Sequence, residues 1–544
     1  NTAEGFAPRP GNFSMHSSKQ PITCVTSVHV RGKKGDDSGG SDQVVTGTAS
    51  GQLLLWVDRN CVKVVRAHEG TVSTIYASVH SILTGGKDQR IRQWTLKLEP
   101  GATFNISPFG RNPSVRSICM STDGTTVLFG TRGADIYEIS AIDGSDVRGG
   151  PIASGHSTGQ LRSVTMHPSK YEFATCCDDC TVRVWDLTTH TMIKMASFDA
   201  PGRSLCYSPM GDVLVIGLGS AVGRASTKAG AYVVLNEEDL SIVHEARDSA
   251  KPISLVKFSP EGETLVVAAD DGPIYLYAVQ DEYELIGRCL RHTMPVLHID
   301  FSADGEWIRT NSAAKDLCFF NTDDASLQSN LPAMRDVQWA THTCVYSWHV
   351  KGVHRTAYEG EQVTTLLTPT ENSNYLVCGT SFGYVKLMPF PCAVDDAECH
   401  RAPAHMGPVV GVQTTFDQQK MITAGLVDRC VVFWKVNTQV EDPDVVLLEH
   451  PESDDYALEV RGGSDIEKDF MPDEADVPDC LLSERAYSAS ANPALDTWLG
   501  QVVAPTNPVP QHTSIPDTSL RLEHVYGYKC QNMRNNVRYG LNGD

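Results

Sequence analysis

Short apolar runs of about six residues alternate with turn residues along most of the chain. In residues 161–186 the runs LRSVTM, EFATCC and TVRVWD are separated only by the short connections HPSKY and DDC. Runs of this length, bounded by polar turn residues, predict β-strands joined by tight hairpins. Turns such as residues 259–262 (SPEG) and 302–305 (SADG) end in glycine, where a positive φ costs least. The pattern therefore predicts an all-β chain of repeated strand meanders.

The same meander recurs about nine times between residues 21 and 436, at a spacing of roughly 40–50 residues. One unit, residues 155–189, begins with Gly-His and closes its last strand with Trp-Asp, which resembles the WD40 repeat. Propellers built from such repeats have roughly 4–8 four-stranded blades. About nine units therefore predict WD40-type β-propeller blades that form one full propeller plus part of another. An incomplete ring needs further blades, so we expect the chain to be a fragment of a longer protein.

Three units carry the same set of one His, one Thr, one Asp and one Trp at matching places. The sets are His68, Thr84, Asp88 and Trp94; His156, Thr175, Asp179 and Trp185; and His405, Thr423, Asp428 and Trp434. In WD40 blades the equivalent side chains form a hydrogen-bond chain, and the resemblance implies the same here. A His, an Asp and a hydroxyl also suggest a hydrolase triad, but enzymes do not repeat a catalytic site in each blade. We therefore expect buried structural networks, which are favourable when every member is paired.

Two further motifs partly match the patterns of a catalytic site and of a metal site. Residues 155–159 match the G-x-S-x-G nucleophile elbow around Ser157, but an elbow must open a helix, and this segment leads into a β-meander. The cluster of Cys176, Cys177 and Cys180 lacks the second, separate ligand pair that a structural zinc ion needs. The sequence therefore predicts no catalytic residue, no cofactor and no metal site.

Charge is spread unevenly over the chain. The formal net charge is −21, and residues 441–520 alone contribute −15. The last segment, 521–544, carries +2, which leaves the repeat region only mildly acidic. The basic residues do not form the stripe that is typical of a nucleic-acid binder. No apolar stretch is long enough to span a membrane. The 16 Cys lie mostly within apolar strands, which is typical of reduced thiols in a cytoplasmic protein and not of a disulfide framework.

A polar loop interrupts the first predicted hairpin at residues 31–41 and begins with Arg31, Lys33 and Lys34. The simplest interpretation is a solvated, flexible insertion. The alternative is an electrostatic contact with an acidic partner surface, made by these three side chains. They are the candidate partner-contact residues of the chain.

One segment resembles the atypical late blade of the echinoderm microtubule-associated protein-like (EMAP-like) family. It begins with RDVQWATHTC at residues 335–344 and continues with WHVKGV at 348–353. The later FPC at residues 390–392 is similar to the end of that blade. The chain is therefore identified as part of a WD40 tandem atypical propeller protein.

A second segment resembles the opening of the family's HELP motif. It reads RLEHVYGY at residues 521–528, followed by Cys530 and by RNN at 534–536. His524 stands where the family usually has Trp. In this family the HELP motif precedes the propellers of its unit, so the resemblance implies a join between units of a multi-unit member.

The predicted domain organisation follows from these assignments. Residues 1–20 continue from preceding chain, and residues 21–437 form the propeller blades. Residues 438–519 form an acidic linker that contains Pro and Ser, and residues 520–544 begin a HELP-like motif of a following unit.

Membership of this family implies a microtubule-associated scaffold without catalysis, which binds the tubulin lattice or an axonemal doublet through propeller surfaces. The implied partners are tubulin and other axonemal proteins, with no nucleic acid and no membrane. The implied location is the cytoplasm and cytoskeleton, with the axoneme of a cilium or flagellum for multi-unit members. The alternative is a generic WD40 adaptor that binds peptides within a soluble signalling or ubiquitin-ligase complex.

Overall fold

Strands dominate the chain in a computed structural model, which describes residues 11–13, 20–30, 41–57, 59–220, 226–356, 360–368, 374–394, 397–437, 498, 501–508, 513–514, 516 and 518–528. Within these residues, 35 strands form nine antiparallel sheets, of which eight have four strands and one has three. Each sheet is a meander of consecutive strands, with one exception at the end of the chain. The all-β fold and the nine repeat units predicted from the strand pattern are confirmed. Two compact units share the sheets, one of residues 1–158 and 526–544 and the other of residues 159–525.

The first unit holds three sheets among its described residues. Their strands are β1 (Ile22–Val30), β2 (Ser41–Thr48), β3 (Gln52–Val57) and β4 (Asn60–Arg66); β5 (Val72–Ala77), β6 (Ser81–Gly86), β7 (Arg90–Thr95) and β8 (Pro100–Asn105); and β9 (Val115–Met120), β10 (Thr126–Thr131), β11 (Asp135–Ser140) and β12 (Ala153–Ser154). Successive sheets pack through their first strands, β1 on β5 and β5 on β9. Apolar side chains of facing sheets, such as Leu53 and Ile82, share one core, because a sheet must bury its apolar faces against a neighbour.

The second unit holds the other six sheets. Their strands are β13 (Leu161–Met166), β14 (Glu172–Cys177), β15 (Thr181–Asp186) and β16 (Met192–Ser197); β17 (Gly202–Tyr207), β18 (Val213–Leu218), β19 (Tyr232–Asn236) and β20 (Ile242–Ala246); β21 (Ile253–Phe258), β22 (Thr264–Ala269), β23 (Ile274–Ala278) and β24 (Glu284–Cys289); β25 (Val296–Phe301), β26 (Trp307–Ser312) and β27 (Leu317–Asn321); β28 (Val363–Leu367), β29 (Tyr375–Thr380), β30 (Tyr384–Pro389) and β31 (His400–Pro403); and β32 (Val409–Thr414), β33 (Lys420–Gly425), β34 (Val431–Asn437) and β35 (Ser519–Tyr526).

These six sheets close into a ring. Their first strands lie side by side, with β13 on β17, β17 on β21, β21 on β25 and β28 on β32. The ring closes where β13 packs on β32, and Leu161 N donates a hydrogen bond to Leu426 O at 3.1 Å. This unit is the predicted full propeller, and the three sheets of the first unit are the predicted partial one.

An irregular segment takes the place of a sheet between β27 and β28. It contains two 3₁₀ helices, Leu331–Met334 and Trp348–Thr356. On one side Tyr346 N donates to Asn311 Oδ1 of β26 at 2.9 Å, and on the other Gly352 N donates to Cys392 O at 2.8 Å. The RDVQWATHTC motif lies in this sector. The prediction of four strands in every unit is wrong for β25–β27, which has three, because the chain after β27 turns into the irregular sector.

The fourth strand of the last sheet comes from the far end of the chain. β35 lies beside β34, although residues 438–518 separate the two strands in sequence. The residues that resemble the HELP opening thus complete a sheet of the second unit. Residues 438–497, most of the predicted linker, lie outside the described residues, and the predicted domain boundaries stay a prediction.

All 14 cysteines within the described residues are free thiols, and ten of them are buried. Burial raises the pKa of Cys378 to about 12, which favours the inert thiol form. Neither 3₁₀ helix of the described chain has the length and apolar character required to cross a membrane.

Candidate functional site

The first unit holds one complete set of the predicted His, Thr, Asp and Trp residues. His68 Nδ1 lies 2.8 Å from Asp88 Oδ1, and His68 Nε2 lies 2.8 Å from Thr84 Oγ1. Trp94 Nε1 donates to the same Thr84 oxygen at 3.0 Å. Burial alone would raise the pKa of Asp88, but hydrogen bonds from His68 and Arg92 lower it below its usual range. The network joins β6 and β7 to the connection that precedes β5.

The set in the last sheet of the second unit has the same geometry. His405 Nδ1 lies 3.0 Å from Asp428 Oδ2, and His405 Nε2 lies 3.0 Å from Thr423 Oγ1. Trp434 Nε1 donates to Thr423 Oγ1 at 3.0 Å. Both ring nitrogens of His405 are therefore engaged, as they are in His68, which leaves neither free to take a proton from a substrate.

Three members of the remaining predicted set, Thr175, Asp179 and Trp185, lie in the second unit. Trp185 Nε1 donates to Thr175 Oγ1 at 2.9 Å, and Thr181 Oγ1 donates to Asp179 Oδ1 at 2.6 Å. His156 is buried and belongs to the first unit.

The structure contains a fourth set, which the sequence pattern does not predict. His292 Nδ1 lies 3.1 Å from Asp316 Oδ2, and His292 Nε2 lies 2.7 Å from Thr310 Oγ1. Phe320 occupies the strand position where the other sets have Trp, so this unit lacks the Trp that marks the repeat in the sequence. The remaining signal was HTMP at residues 292–295, which parallels HMGP at 405–408.

The fourth set also brings a thiol close to a carboxylate and an imidazole. The ligand atoms of His292, Asp316 and Cys318 lie within 4.8 Å of one another. Both nitrogens of His292 are already bonded, however, and burial raises the pKa of Cys318 to about 11. A metal needs deprotonated, open ligand atoms, so this trio is better explained by packing.

The segment that matches a nucleophile elbow lies in a connection between strands. Ser157 follows β12, and β13 begins at Leu161, so the chain enters a strand and not a helix. Of the neighbouring cysteines, Cys176 and Cys177 are buried in β14, and burial raises the pKa of both thiols. Neither motif has the surroundings that its chemistry requires.

A buried carboxylate organises the irregular sector. Asp300 of β25 is fully buried and accepts hydrogen bonds from the backbone NH groups of Thr343 and Cys344, each at 2.9 Å. It also accepts from the hydroxyl groups of Thr341 at 2.5 Å and Thr343 at 2.7 Å. The Thr-x-Thr-Cys part of the motif therefore binds one carboxylate, which gives a physical reason for those residue types.

Two cations balance the charge of Asp300. Arg309 Nη2 lies 3.0 Å and Lys257 Nζ lies 3.4 Å from the carboxylate. Burial alone would raise the pKa of Asp300, but the two cations and the hydrogen bonds hold it well below its usual range. Arg309 also lies over the ring of Trp339 at 4.6 Å and donates to Thr341 O at 3.2 Å. The Trp of the motif is thus part of the same network.

A groove lies beside β27, on the side of the strand that does not face β26. Its apolar wall is formed by Leu317, Phe319, Met334 and Trp339. Trp498, which follows the acidic segment, lies at one end of the groove and is 3% exposed. Its ring is 5.3 Å from that of Tyr346 and 5.2 Å from that of His354.

The residues after Trp498 continue along the groove. Gln501 Oε1 accepts a hydrogen bond from Leu317 N of β27 at 2.9 Å. Val502 packs against the apolar wall, and Thr506 N donates to Asp336 Oδ1 at 2.8 Å. We name residues 498 and 501–506 the strap. The sequence predicts these residues as part of the linker, because nothing in their composition indicates a groove formed by residues about 160 positions earlier.

The candidate partner-contact residues Arg31, Lys33 and Lys34 lie outside the described residues. Their assignment stays a prediction.

The second propeller-like unit and the end of the chain both match models of known families. Residues 161–436, just over half of the chain, match the family model of the echinoderm microtubule-associated protein second beta-propeller. Residues 515–544 match the HELP motif, and residues 59–95 match the WD domain, G-beta repeat.

Several curated proteins are similar over most of the chain. Echinoderm microtubule-associated protein-like 2 of Rattus norvegicus is 28% identical over 437 residues, which cover 79% of this chain and 63% of the relative. The 77 kDa echinoderm microtubule-associated protein of Lytechinus variegatus is 30% identical over 407 residues, 73% of this chain and 58% of the relative. Echinoderm microtubule-associated protein-like 1 of Homo sapiens is 26% identical over 437 residues, 79% of this chain and 50% of the relative. The chain therefore spans between half and two thirds of the length of these relatives.

Proposed function

Because the chain belongs to the echinoderm microtubule-associated protein family, we propose that it is a non-catalytic scaffold that associates with microtubules through the surfaces of its propeller sheets. The observation that carries the proposal is the match of residues 161–436 to the family's second propeller, over a ring whose irregular sector contains the family-like motif. The relatives are named for microtubule association. Here the same activity is proposed for a chain that shares their propeller.

The polar networks support a holding role over a catalytic one. In the sets around His68, His292 and His405 the imidazole nitrogens are bonded to a carboxylate and to a hydroxyl. Such paired networks rigidify a sheet and occupy the imidazole nitrogens that an acid–base role would need. A rigid ring presents its connecting loops at fixed positions, which suits a protein that binds a large partner by many modest contacts.

Charge attraction is not sufficient for the proposed contact. The surface of tubulin is acidic, and the net charge of this chain is −21. We therefore propose a contact matched in shape, with local help from basic loop residues such as Arg31, Lys33 and Lys34. The ciliary or flagellar doublet, with its other axonemal proteins, is the finer proposal for the site of action.

Cosedimentation of the full chain with stabilised microtubules tests the proposal. We expect the chain to pellet with microtubules at low salt and to stay in the supernatant without them. A shape-matched contact should persist when the salt is raised to physiological strength, whereas a purely electrostatic one should be lost. Absence of pelleting at low salt would remove the microtubule proposal, and pull-down of a soluble complex in its place would favour the adaptor alternative.

A further inference from the structure

The strap occupies a groove that the rest of the second unit builds without it. The three-stranded sheet leaves β27 paired with β26 on one side only. On the other side of β27, within the described residues, residues 326–328 pair with the end of the strand. An isolated bridge joins Phe320 to Leu327, Asn321 N donates to Ser326 O at 3.0 Å, and Gln328 N donates to Phe319 O at 2.9 Å. The backbone NH of Leu317 is bonded by a side chain of the strap, at 2.9 Å from Gln501 Oε1. An incompletely paired edge is a place where another chain segment can be bound.

Contacts with residues outside the strap fix the positions of the groove walls. Asn311 positions Tyr346 by accepting its backbone NH at 2.9 Å and donating Nδ2 to its carbonyl oxygen at 3.4 Å. Trp339 is held by the guanidinium of Arg309, which is itself bonded to the buried Asp300. None of these contacts involves the strap. The groove is therefore preorganised, as a binding site needs to be.

The strap binds with one deep anchor and otherwise with modest contacts. Trp498 is 3% exposed between two rings, and such buried aromatic residues carry most of the binding energy of a peptide. At the other end, Thr506 bonds to Asp336, whose side chain is 53% exposed. Exposed contacts of this kind contribute little. This distribution is that of a peptide ligand and not of a core strand.

We propose that this groove is an exchangeable peptide-binding site, which the chain fills with its own strap. Its ligand is a partner peptide with a Trp, a Gln three residues later, an aliphatic side chain next to the Gln, and a Thr or Ser five residues after the Gln. Departure of the strap uncovers the apolar wall of Leu317, Phe319, Met334 and Trp339, which a ligand must cover again. β35 needs no unpairing during the exchange, because twelve residues separate Thr506 from Ser519.

The test uses the full chain and a fluorescent synthetic peptide of residues 496–508, measured by anisotropy. The chain variant Trp498→Ala/Gln501→Ala removes the buried anchor of the strap and the side chain that bonds to Leu317, and it leaves every residue of the groove unchanged. Because the wild-type strap competes from within the same chain, we expect the peptide to bind this variant at least about tenfold more tightly than the wild-type chain. A peptide with Trp498→Ala is the matched control, and we expect it to bind the variant about tenfold more weakly or not at all.

A second pair of variants provides a test that does not depend on correct folding of the first variant. Thr506→Glu sets a carboxylate against Asp336, while Asn507→Glu adds the same charge at the neighbouring exposed residue. We expect Thr506→Glu to give a small increase in capture of the wild-type peptide, because the contact that it disrupts is exposed, and Asn507→Glu to leave capture unchanged. Equal binding of the peptide to the wild-type chain and to the anchor variant, or binding to neither while near-ultraviolet circular dichroism stays native, overturns the proposal. No tubulin is present, so this outcome is independent of the microtubule test.

Discussion

Asp300 lies in β25, between the buried apolar residues Ile299 and Phe301. Its carboxylate is removed from water and is compensated by Arg309, Lys257 and the donors of residues 341–344. A buried charge is tolerated only while such partners remain. At the scale of the single residue, the irregular sector therefore depends on one side chain.

Replacement of Asp300 by Asn should destabilise the second unit by about 3–5 kcal/mol, the usual cost of leaving a buried ion pair without one partner. The amide keeps the volume but leaves Arg309 and Lys257 without their counter-charge. The shift of the urea unfolding midpoint measures the effect, and hydrogen exchange of residues 339–346 shows where it acts. Asp323→Asn, at an exposed turn, is the control and should change the midpoint very little. Equal shifts of the unfolding midpoint in the two variants would show that Asp300 contributes no more to stability than an exposed aspartate.

The histidines of the same sector predict a dependence of stability on pH. Burial and the charge of Arg309 lower the pKa of His349 to about 4. The native protein therefore binds this proton less well than the unfolded chain, whose His has a pKa near 6.5. The stability contribution is full above about pH 6.5 and is lost as the pH falls towards 4.

His349→Gln should therefore reduce the loss of stability between pH 7 and pH 4.5. Urea unfolding at the two pH values, compared with the wild-type chain, measures the change. His80→Gln replaces an exposed histidine and serves as the control. An unchanged pH slope in His349→Gln would mean that other groups, such as His342, carry the whole effect; burial also lowers the pKa of His342.

At the scale of the element, β35 shows how a distant segment completes a sheet. Leu520 packs on the core between the last two sheets of the second unit. The ring of His524 stacks on that of His190 at 4.2 Å, beside Phe433. Burial and the neighbouring His190 lower the pKa of His524, so acid weakens this contact. We therefore expect protonation of His524, the residue that stands where the family usually has Trp, to weaken the docking of β35 in acid.

His524→Trp should make the docking of β35 less dependent on pH. The indole keeps a stacked aromatic contact with His190 but cannot be protonated, so the charge repulsion that develops in acid disappears. Hydrogen exchange of the β35 amides at pH 8 and pH 5, corrected for intrinsic rates, measures the loss of protection in each chain. We expect a smaller loss in the variant than in the wild-type chain, and an equal loss would contradict the assignment.

At the scale of the whole molecule, charge is separated along the chain. Residues 441–520 carry −15 of the net −21, while the three basic residues of the 31–41 loop concentrate positive charge in a few positions. A partner with an acidic surface is repelled by the average field of the chain, so a local basic loop has a disproportionate effect on binding.

Arg31→Ala/Lys33→Ala/Lys34→Ala should weaken microtubule binding about fivefold, if each charge contributes a few tenths of a kcal/mol to the contact with the acidic partner. The control is Arg66→Ala/Lys87→Ala/Arg90→Ala, which removes the same charge from exposed positions of the first unit. Cosedimentation with a titration of microtubules measures both. If the two triple variants lose affinity equally, net charge and not the loop is responsible.

The repeat of apolar and polar positions was sufficient to determine the all-β fold and the nine sheets, because each strand must present apolar residues to its neighbours at a spacing that is visible in the chain. The His, Thr, Asp and Trp sets around His68 and His405 were visible for the same reason, since they recur with the repeat. The set around His292 was not recognised, because Phe320 replaces the Trp marker.

Other features were decided only in three dimensions. Asp300 meets residues 341–344, β34 meets β35, and Trp498 meets Tyr346 across separations of about 40 to 150 residues. No local pattern encodes such partners, since each segment reads as an ordinary strand, loop or linker in isolation. Closure of the ring brings the segments together, and burial then determines which side chains must pair.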